Sequence, residues 1–360
     1  MEQGANINDS IYLFRYIFMT PLANACKYGH EAIVKYLVEM GANINQGASL
    51  TPLLYACKQG HESILKYLVE QGAELNERKK TSLLIAACKY GHLSIVQYLV
   101  ESLEVNINGQ DFNWRGYTPL IAASENGHEA IVRYLVEHGA DTSKESIKNG
   151  DSPLTVACKN GHETILRYLV EQGADLNMKN KKGSSPLDSV LEHGKMEGGT
   201  TINLLMDCAK DHHTVLQLNR YPLVKTISYI GNSSNRTALF ELLMNYAIEQ
   251  KISNLNLNEI DDNNGEYPLL RLMFCGADIK AVKLLMDYAN QFNILLELNK
   301  PDFKGCSPLL IRATSSRQVE KVKLLLDYAE DHQIPLHLDK APYEIQHLIS
   351  QYAQKHNINI

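Results

Sequence analysis

The hydrophobic and polar positions of this chain repeat one phrase. In ESILKYLVE (62–70), Ile64, Leu65, Leu68 and Val69 fall at the spacing that makes an apolar stripe on one helical face. The same phrase closes ACKYGHEAIVKYLVE (25–39), ACKYGHLSIVQYLVE (87–101), ASENGHEAIVRYLVE (123–137) and ACKNGHETILRYLVE (157–171). His30, His61, His92, His128 and His162 therefore recur after 31, 31, 36 and 34 residues. A period of this size signals stacked supersecondary units, each too small to bury its stripe alone. Ahead of most copies stands a hydroxyl residue with Pro-Leu, as in Thr51-Pro52-Leu53, Thr118-Pro119-Leu120 and Ser152-Pro153-Leu154. The hydroxyl can cap a helix, and proline at the first helical position loses no hydrogen bond. Gly60 and Gly72 stand where helix ends need a positive φ.

The phrase as a whole, TPL, then A, then GH, then GA[DN], resembles the ankyrin repeat. The resemblance implies an all-α solenoid of stacked helix pairs, inner and outer, with β-turn fingers. At the fourth position of the usual TPLH motif stand Ala23, Leu54, Ile85 (or its neighbour Leu84), Ile121 and Thr155, so the customary capping histidine is absent.

Five regular units are expected over 20–184. Beyond them the outer-helix phrase changes to NLLMDCAKDHH (203–213), ELLMNYAIEQK (241–251), KLLMDYANQFN (283–293) and KLLLDYAEDHQ (323–333). With Pro186, Pro222, Pro268 and Pro308, these outline about four divergent, longer units over 185–341. Units are expected to begin near 20, 51, 82, 118, 152, 185, 221, 267 and 307. Residues 342–360 carry an outer-helix pattern without an inner partner and read as a C-terminal capping helix. Residues 1–19 read as a remnant or cap, because EQGANIN (2–8) copies the tail of a unit, EQGAELN (70–76). No Ser/Gly-rich linker separates the halves, which favours one continuous array.

The 360 residues carry a formal net charge of −6, too mild to announce a nucleic-acid binder. No apolar run approaches the ~20 residues of a membrane span. Cys26, Cys57, Cys88 and Cys158 share one register position on inner helices. Helices pack about 8–10 Å apart, whereas a disulfide needs Cα atoms within about 7 Å. These cysteines are expected to be buried, unpaired small hydrophobes of a reducing, intracellular compartment, cytoplasmic or nuclear. The Cys-x-x-x-His spacing crosses the Gly turn, so the pair shares no helix face, and no metal site is expected. No phosphate-binding loop, HExxH helix or GxSxG elbow appears, and neither cofactor nor catalysis is expected.

The resemblance implies a non-enzymatic scaffold or adaptor that binds a protein through its concave face of inner helices and fingers. Residues just before each Gly-His are then groove-facing: Lys27-Tyr28, Lys58-Gln59, Lys89-Tyr90, Glu125-Asn126 and Lys159-Asn160. Fingers add Arg78-Lys79-Lys80, Lys148, Lys179 with Lys181-Lys182, and DFNWRGY (111–117), which holds Phe112, the single Trp114, Arg115 and Tyr117. The lysine row suits an acidic, extended protein segment; the alternative is a polyanion or nucleic acid held by the same lysines. The chain is expected to be monomeric.

Overall fold

In a computed structural model the described residues are 6–9, 11–13, 17–47, 51–111, 115–193, 198–218, 233–260, 265–274, 278–305 and 316–336, with isolated positions to 351. The chain falls into two compact units, Met1–Thr214 and Val215–Ile360.

Unit 1 opens with an antiparallel pair of short strands, β1 (Ile11–Leu13) and β2 (Ile17–Met19), with Ile11 opposite Met19. This short hairpin, within residues 1–19, precedes a helical stack that is the all-α solenoid expected. Six helix pairs follow. The inner helices are α1 (Pro21–Tyr28), α3 (Pro52–Gln59), α5 (Glu77–Tyr90), α7 (Pro119–Glu125), α9 (Pro153–Asn160) and α11 (Pro186–His193). The outer helices are α2 (Glu31–Glu39), α4 (Glu62–Glu70), α6 (Leu93–Glu101), α8 (Glu129–Glu137), α10 (Glu163–Glu171) and α12 (Gly198–Asp211). Each inner helix packs on its outer partner, and successive inner helices pack on one another from α1 to α11.

Local chemistry sets the ends. The Thr51 hydroxyl accepts from Leu54 N, Pro52 begins α3, and Gly60 ends it in the left-handed region at φ 78°. Thr20, Thr118 and Ser152 cap α1, α7 and α9 in the same way. The third unit differs. It lacks the proline, and α5 begins at Glu77 under an Asn76 cap instead of near 82. Arg78, Lys79 and Lys80 are therefore the first turn of a helix and not a finger.

The core is the shared interior of the stack. Ile64, Leu65 and Leu68 are almost wholly buried, each contributing about 1.5–3 kcal/mol of apolar burial. Cys26, Cys57, Cys88 and Cys158 are free and buried, as expected, and Cys208 joins them. Burial pushes the Cys57 thiol up to about 12, which leaves it protonated and inert.

Unit 2 shows α13 (Ser233–Glu249), the pair α14 (Pro268–Phe274) and α15 (Ile279–Gln291), and α16 (Ser316–Asp331). α15 packs against all three others. Residues 219–232 and 306–315, where inner partners of α13 and α16 are anticipated, and most of the C-terminal capping segment 342–360 lie outside the described residues. A buried ammonium stands out here. Lys321 is 1% exposed, and its Nζ donates to the Leu272 carbonyl at 2.9 Å, tying α16 to α14.

Candidate functional site

Three ladders hold the units of unit 1 in register and so position the face on which binding is expected. The first is the Gly-His turn. Nε2 of His61, His92, His128 and His162 meets the carbonyls of Lys27, Lys58, Lys89 and Glu125 at 3.3, 2.9, 3.0 and 3.1 Å. Carbonyls only accept, so Nε2 carries the proton and each ring ties a unit to the inner helix before it. The ring lies so close to the preceding turn that a Cβ on Gly60 would sit 2.6 Å from His92. The Gly-His turn thus serves to pack and tie successive units. Among the described residues no group of three or more His, Cys, Asp or Glu is placed to hold a metal.

The second ladder runs through asparagines at the finger bases. Asn8 Oδ1 accepts from Asn43 N (2.8 Å), Asn45 Oδ1 from Glu74 N (2.9 Å) and Asn108 Oδ1 from Asp141 N (2.8 Å). The third is finger on finger: Ile147 N and Lys148 N donate to the Gly116 and Arg115 carbonyls (3.1 Å each), and Lys181 N to the Asn149 carbonyl (3.0 Å). A Cβ on Gly116 would overlap the Ile147 side chain, so this contact requires glycine.

On the face so built, Lys27, Lys58, Lys89 and Lys159 take the same place near the ends of successive inner helices, each half-buried. Burial, and secondly the charge of Lys89, hold the Lys58 ammonium below the ordinary lysine range. Lys58 and Lys89 therefore feel each other. Tyr28 (60% exposed), Gln59 and Tyr90 (42% exposed) flank the lysines in solvent, and Asn126 is exposed where Glu125 interrupts the row. Asn126 and Asn160 turn their side chains back onto the Ala122 and Val156 carbonyls, which orders both helix ends.

Phe112 and Trp114 lie outside the described residues. Their neighbours form a polar concavity of roughly 320 Å3 that sequence reasoning did not anticipate, lined among others by Arg115, Tyr117, Glu125, Asp151, Lys159 and Lys182. Tyr117 is buried, its hydroxyl donating to Glu125 Oε1 at 2.8 Å, with Arg115 Nη1 at 3.4 Å. Asp151, 2% exposed, receives both carboxylate contacts from Lys159 Nζ at 3.1 Å and another from Asn180 Nδ2 at 2.9 Å. A buried carboxylate thus fixes Lys159 in place within the row. The signal for this cluster was the finger turn Asn149-Gly150-Asp151, whose acid precedes the cap Ser152.

The concavity gathers titratable groups from three helix pairs, as an active site would. Burial pushes the Tyr117 phenol up to about 12, so it keeps its proton and donates a hydrogen bond to Glu125. Asp151 is engaged by an ammonium and two amides. The polar groups here are spent on one another, which makes the cluster a brace between fingers and inner helices.

The family description "Ankyrin repeats (3 copies)" matches residues 2–79 and 75–146, and "Ankyrin repeat" matches 149–181. The chain is an ankyrin repeat protein. A solved structure of the human ASB11 ankyrin repeat domain is similar at 20% identity and TM-score 0.45, over 75% of this chain and 97% of that one. No curated protein matches this ankyrin repeat protein in sequence. Ankyrin repeats are generally protein–protein interaction modules and typically non-enzymatic. No helix among the described residues is long and apolar enough to cross a membrane.

Proposed function

We propose that this ankyrin repeat protein is an intracellular, non-enzymatic adaptor that holds a protein partner on the inner-helix and finger face of unit 1. The partner segment is extended and acidic, with carboxylates against Lys27, Lys58 and Lys89 and an apolar or aromatic side chain beside Tyr28 and Tyr90. The observation that carries this reading is the row itself: Lys27, Lys58 and Lys89 stand half-buried at the same place on successive inner helices beside the exposed Tyr28 and Tyr90, and the like charges of Lys58 and Lys89 repel each other. A carboxylate arriving between these two lysines relieves that repulsion, and concave surfaces focus such fields. Lys159, held by Asp151 at 3.1 Å, continues the same row. Trp114 is proposed to end the lysine row as an aromatic anchor, since tryptophan and arginine dominate binding hot spots.

The test is capture of binding proteins by the intact chain, followed by kinetics with Lys58→Glu/Lys89→Glu and with Trp114→Ala. Charge reversal should chiefly slow association, and loss of the tryptophan should chiefly speed dissociation. A captured partner that binds both variants as well as the parent chain overturns the reading. Preference for nucleic acid, with affinity falling steeply as salt rises, replaces it with the polyanion alternative.

A further inference from the structure

The finger that carries Arg115 differs from the two after it. Asp111 and Tyr117 pair across a bridge, Gly116 N bonds the Asp111 carbonyl at 3.0 Å, and Arg115 takes φ 65°. Asn149 and Lys182 stand at the same place in the next two fingers, each before a glycine, and neither enters that region. A side chain at positive φ is strained and persists only where its surroundings over-determine it.

The strained residue stands in the wall of the polar concavity of roughly 320 Å3. Its Nη1 is held 3.4 Å from the Tyr117 hydroxyl and 4.0 Å from Glu125 Oε1. The other guanidinium donors, Nε and Nη2, bond nothing among the described residues, and the side chain is 60% exposed. The acids of the same concavity are each engaged within the chain. Asp151 receives Lys159 and two amides, Glu125 receives the Tyr117 hydroxyl, and Glu192 receives the Ser184 hydroxyl at 3.3 Å. The brace thus leaves one fork of donors unused, with Lys159 and Lys182 lining the same hollow.

We propose that this concavity takes a carboxylate side chain of the partner, gripped by the two open donors of Arg115. The assignment rests on the adaptor reading: the acidic segment lying along Lys27, Lys58 and Lys89 would place an aspartate or glutamate here. The planar guanidinium matches both oxygens of a carboxylate, which the point charge of a lysine does not. An extended segment of 12 residues spans about 40 Å. That equals about four helix spacings, enough to run from Lys27 on α1 to the concavity beside α9.

The test uses the full chain and a fluorescein-labelled, C-terminally amidated peptide of six Glu-Ser pairs. Anisotropy should show saturable binding with a Kd of about 10–100 μM. Arg115→Gln should weaken it at least ~5-fold, and Arg115→Lys nearly as much, because the fork is lost. Arg115→Gly should lose the same affinity yet melt no lower than the parent chain, since it relieves the strain. Arg115→Lys or Arg115→Gln binding as tightly as the parent overturns the inference, as does no binding at about 1 mM chain. Inorganic phosphate that displaces the peptide at about a tenth of the glutarate concentration, in the parent chain and not in Arg115→Gln, assigns the hollow to phosphate and overturns it equally. Lys58→Glu/Lys89→Glu separates the two readings. Binding that survives Arg115→Gln but not the lysine reversal removes this inference and keeps the lysine row. Binding that survives only the lysine reversal removes the row and keeps the Arg115 grip.

Discussion

The regular outer helices and the divergent ones leave the helix through the same geometry with different residues. After α4, Gly72 takes φ 86°, its N–H bonds Val69 O at 3.1 Å, and Ala73 N bonds Leu68 O at 3.0 Å. After α15, Asn293 takes φ 54°, with the corresponding bonds to Asn290 O at 3.3 Å and from Ile294 N to Ala289 O at 2.8 Å. His213, Lys251 and Gln333 repeat this at φ 52°, 54° and 53°. The divergent helices thus put side-chain-bearing residues in a region that favours glycine. They also replace the histidine tie. Tyr288 Oη accepts from Leu255 N at 3.3 Å and donates to the Ile252 carbonyl at 2.5 Å. Tyr328 does the same for Leu296 N (3.4 Å) and the Ile294 carbonyl (3.3 Å), and Tyr246 receives Leu216 N (3.2 Å). Each type of unit must satisfy backbone polar groups of its predecessor. One uses an imidazole at the inner-helix turn, the other a phenol on the outer helix.

The largest expected effect breaks the imidazole solution. Gly60→Ala puts a Cβ in the left-handed region, 2.6 Å from the His92 ring, and so displaces the bond to Lys58 O. We expect a loss of about 2–3 kcal/mol, read as faster hydrogen exchange in α3–α6. Next is the phenol. Tyr288→Phe keeps the buried ring but leaves Leu255 N and Ile252 O without their shared partner, and should cost about 2 kcal/mol by chemical denaturation. An unchanged midpoint would mean that these bonds carry no net stability. A third variant should have the opposite sign. Lys251→Gly removes left-handed strain at a cost in chain entropy, for a net gain of about 0.5–1 kcal/mol. Asn293→Gly should gain less, because asparagine tolerates this region better.

How far the fold was legible follows the same division. In four of the five regular units the start of the inner helix had a local cause in the sequence, a hydroxyl cap with proline at the first turn, and glycine ends α1, α3, α5 and α9. Where the proline is missing, at Thr81-Ser82, nothing disfavours helix in the preceding residues. ERKK, all good helix formers, extended α5 backwards from the anticipated start. In the divergent units the glycine is missing too, so helix ends carried no sign of their positive φ. The tyrosine ladder did carry a signal, the Tyr-Ala that recurs at 246, 288 and 328, but only as part of an apolar stripe. Of the anticipated site, the half-buried lysine row follows from the repeat period. The Asp151 cluster does not, because its members come from different fingers and inner helices, Asp151 and Asn180 from fingers and Lys159 from α9, whose pairing is set by tertiary contact.

The smallest expected effect concerns the charged seam of the regular outer helices. Glu62 is held below the usual carboxylate range, first by its bond to Lys66, then by Ser94 of the next outer helix. Lys66 in turn lies 2.6 Å from Glu62 and over the Tyr98 ring. A depressed folded-state value means that the stabilisation is present above the ordinary glutamate value, near 4.3, and is lost as pH falls through the lower folded one. Such exposed i, i+4 pairs contribute only tenths of a kcal/mol. Glu62→Gln should therefore lower the melting temperature slightly at pH 7, and the difference from the parent chain should shrink towards zero as pH falls below about 4. A difference that persists at acid pH would show that the substituted amide disturbs the packing of α4 on α6 and that the ion pair is not the cause.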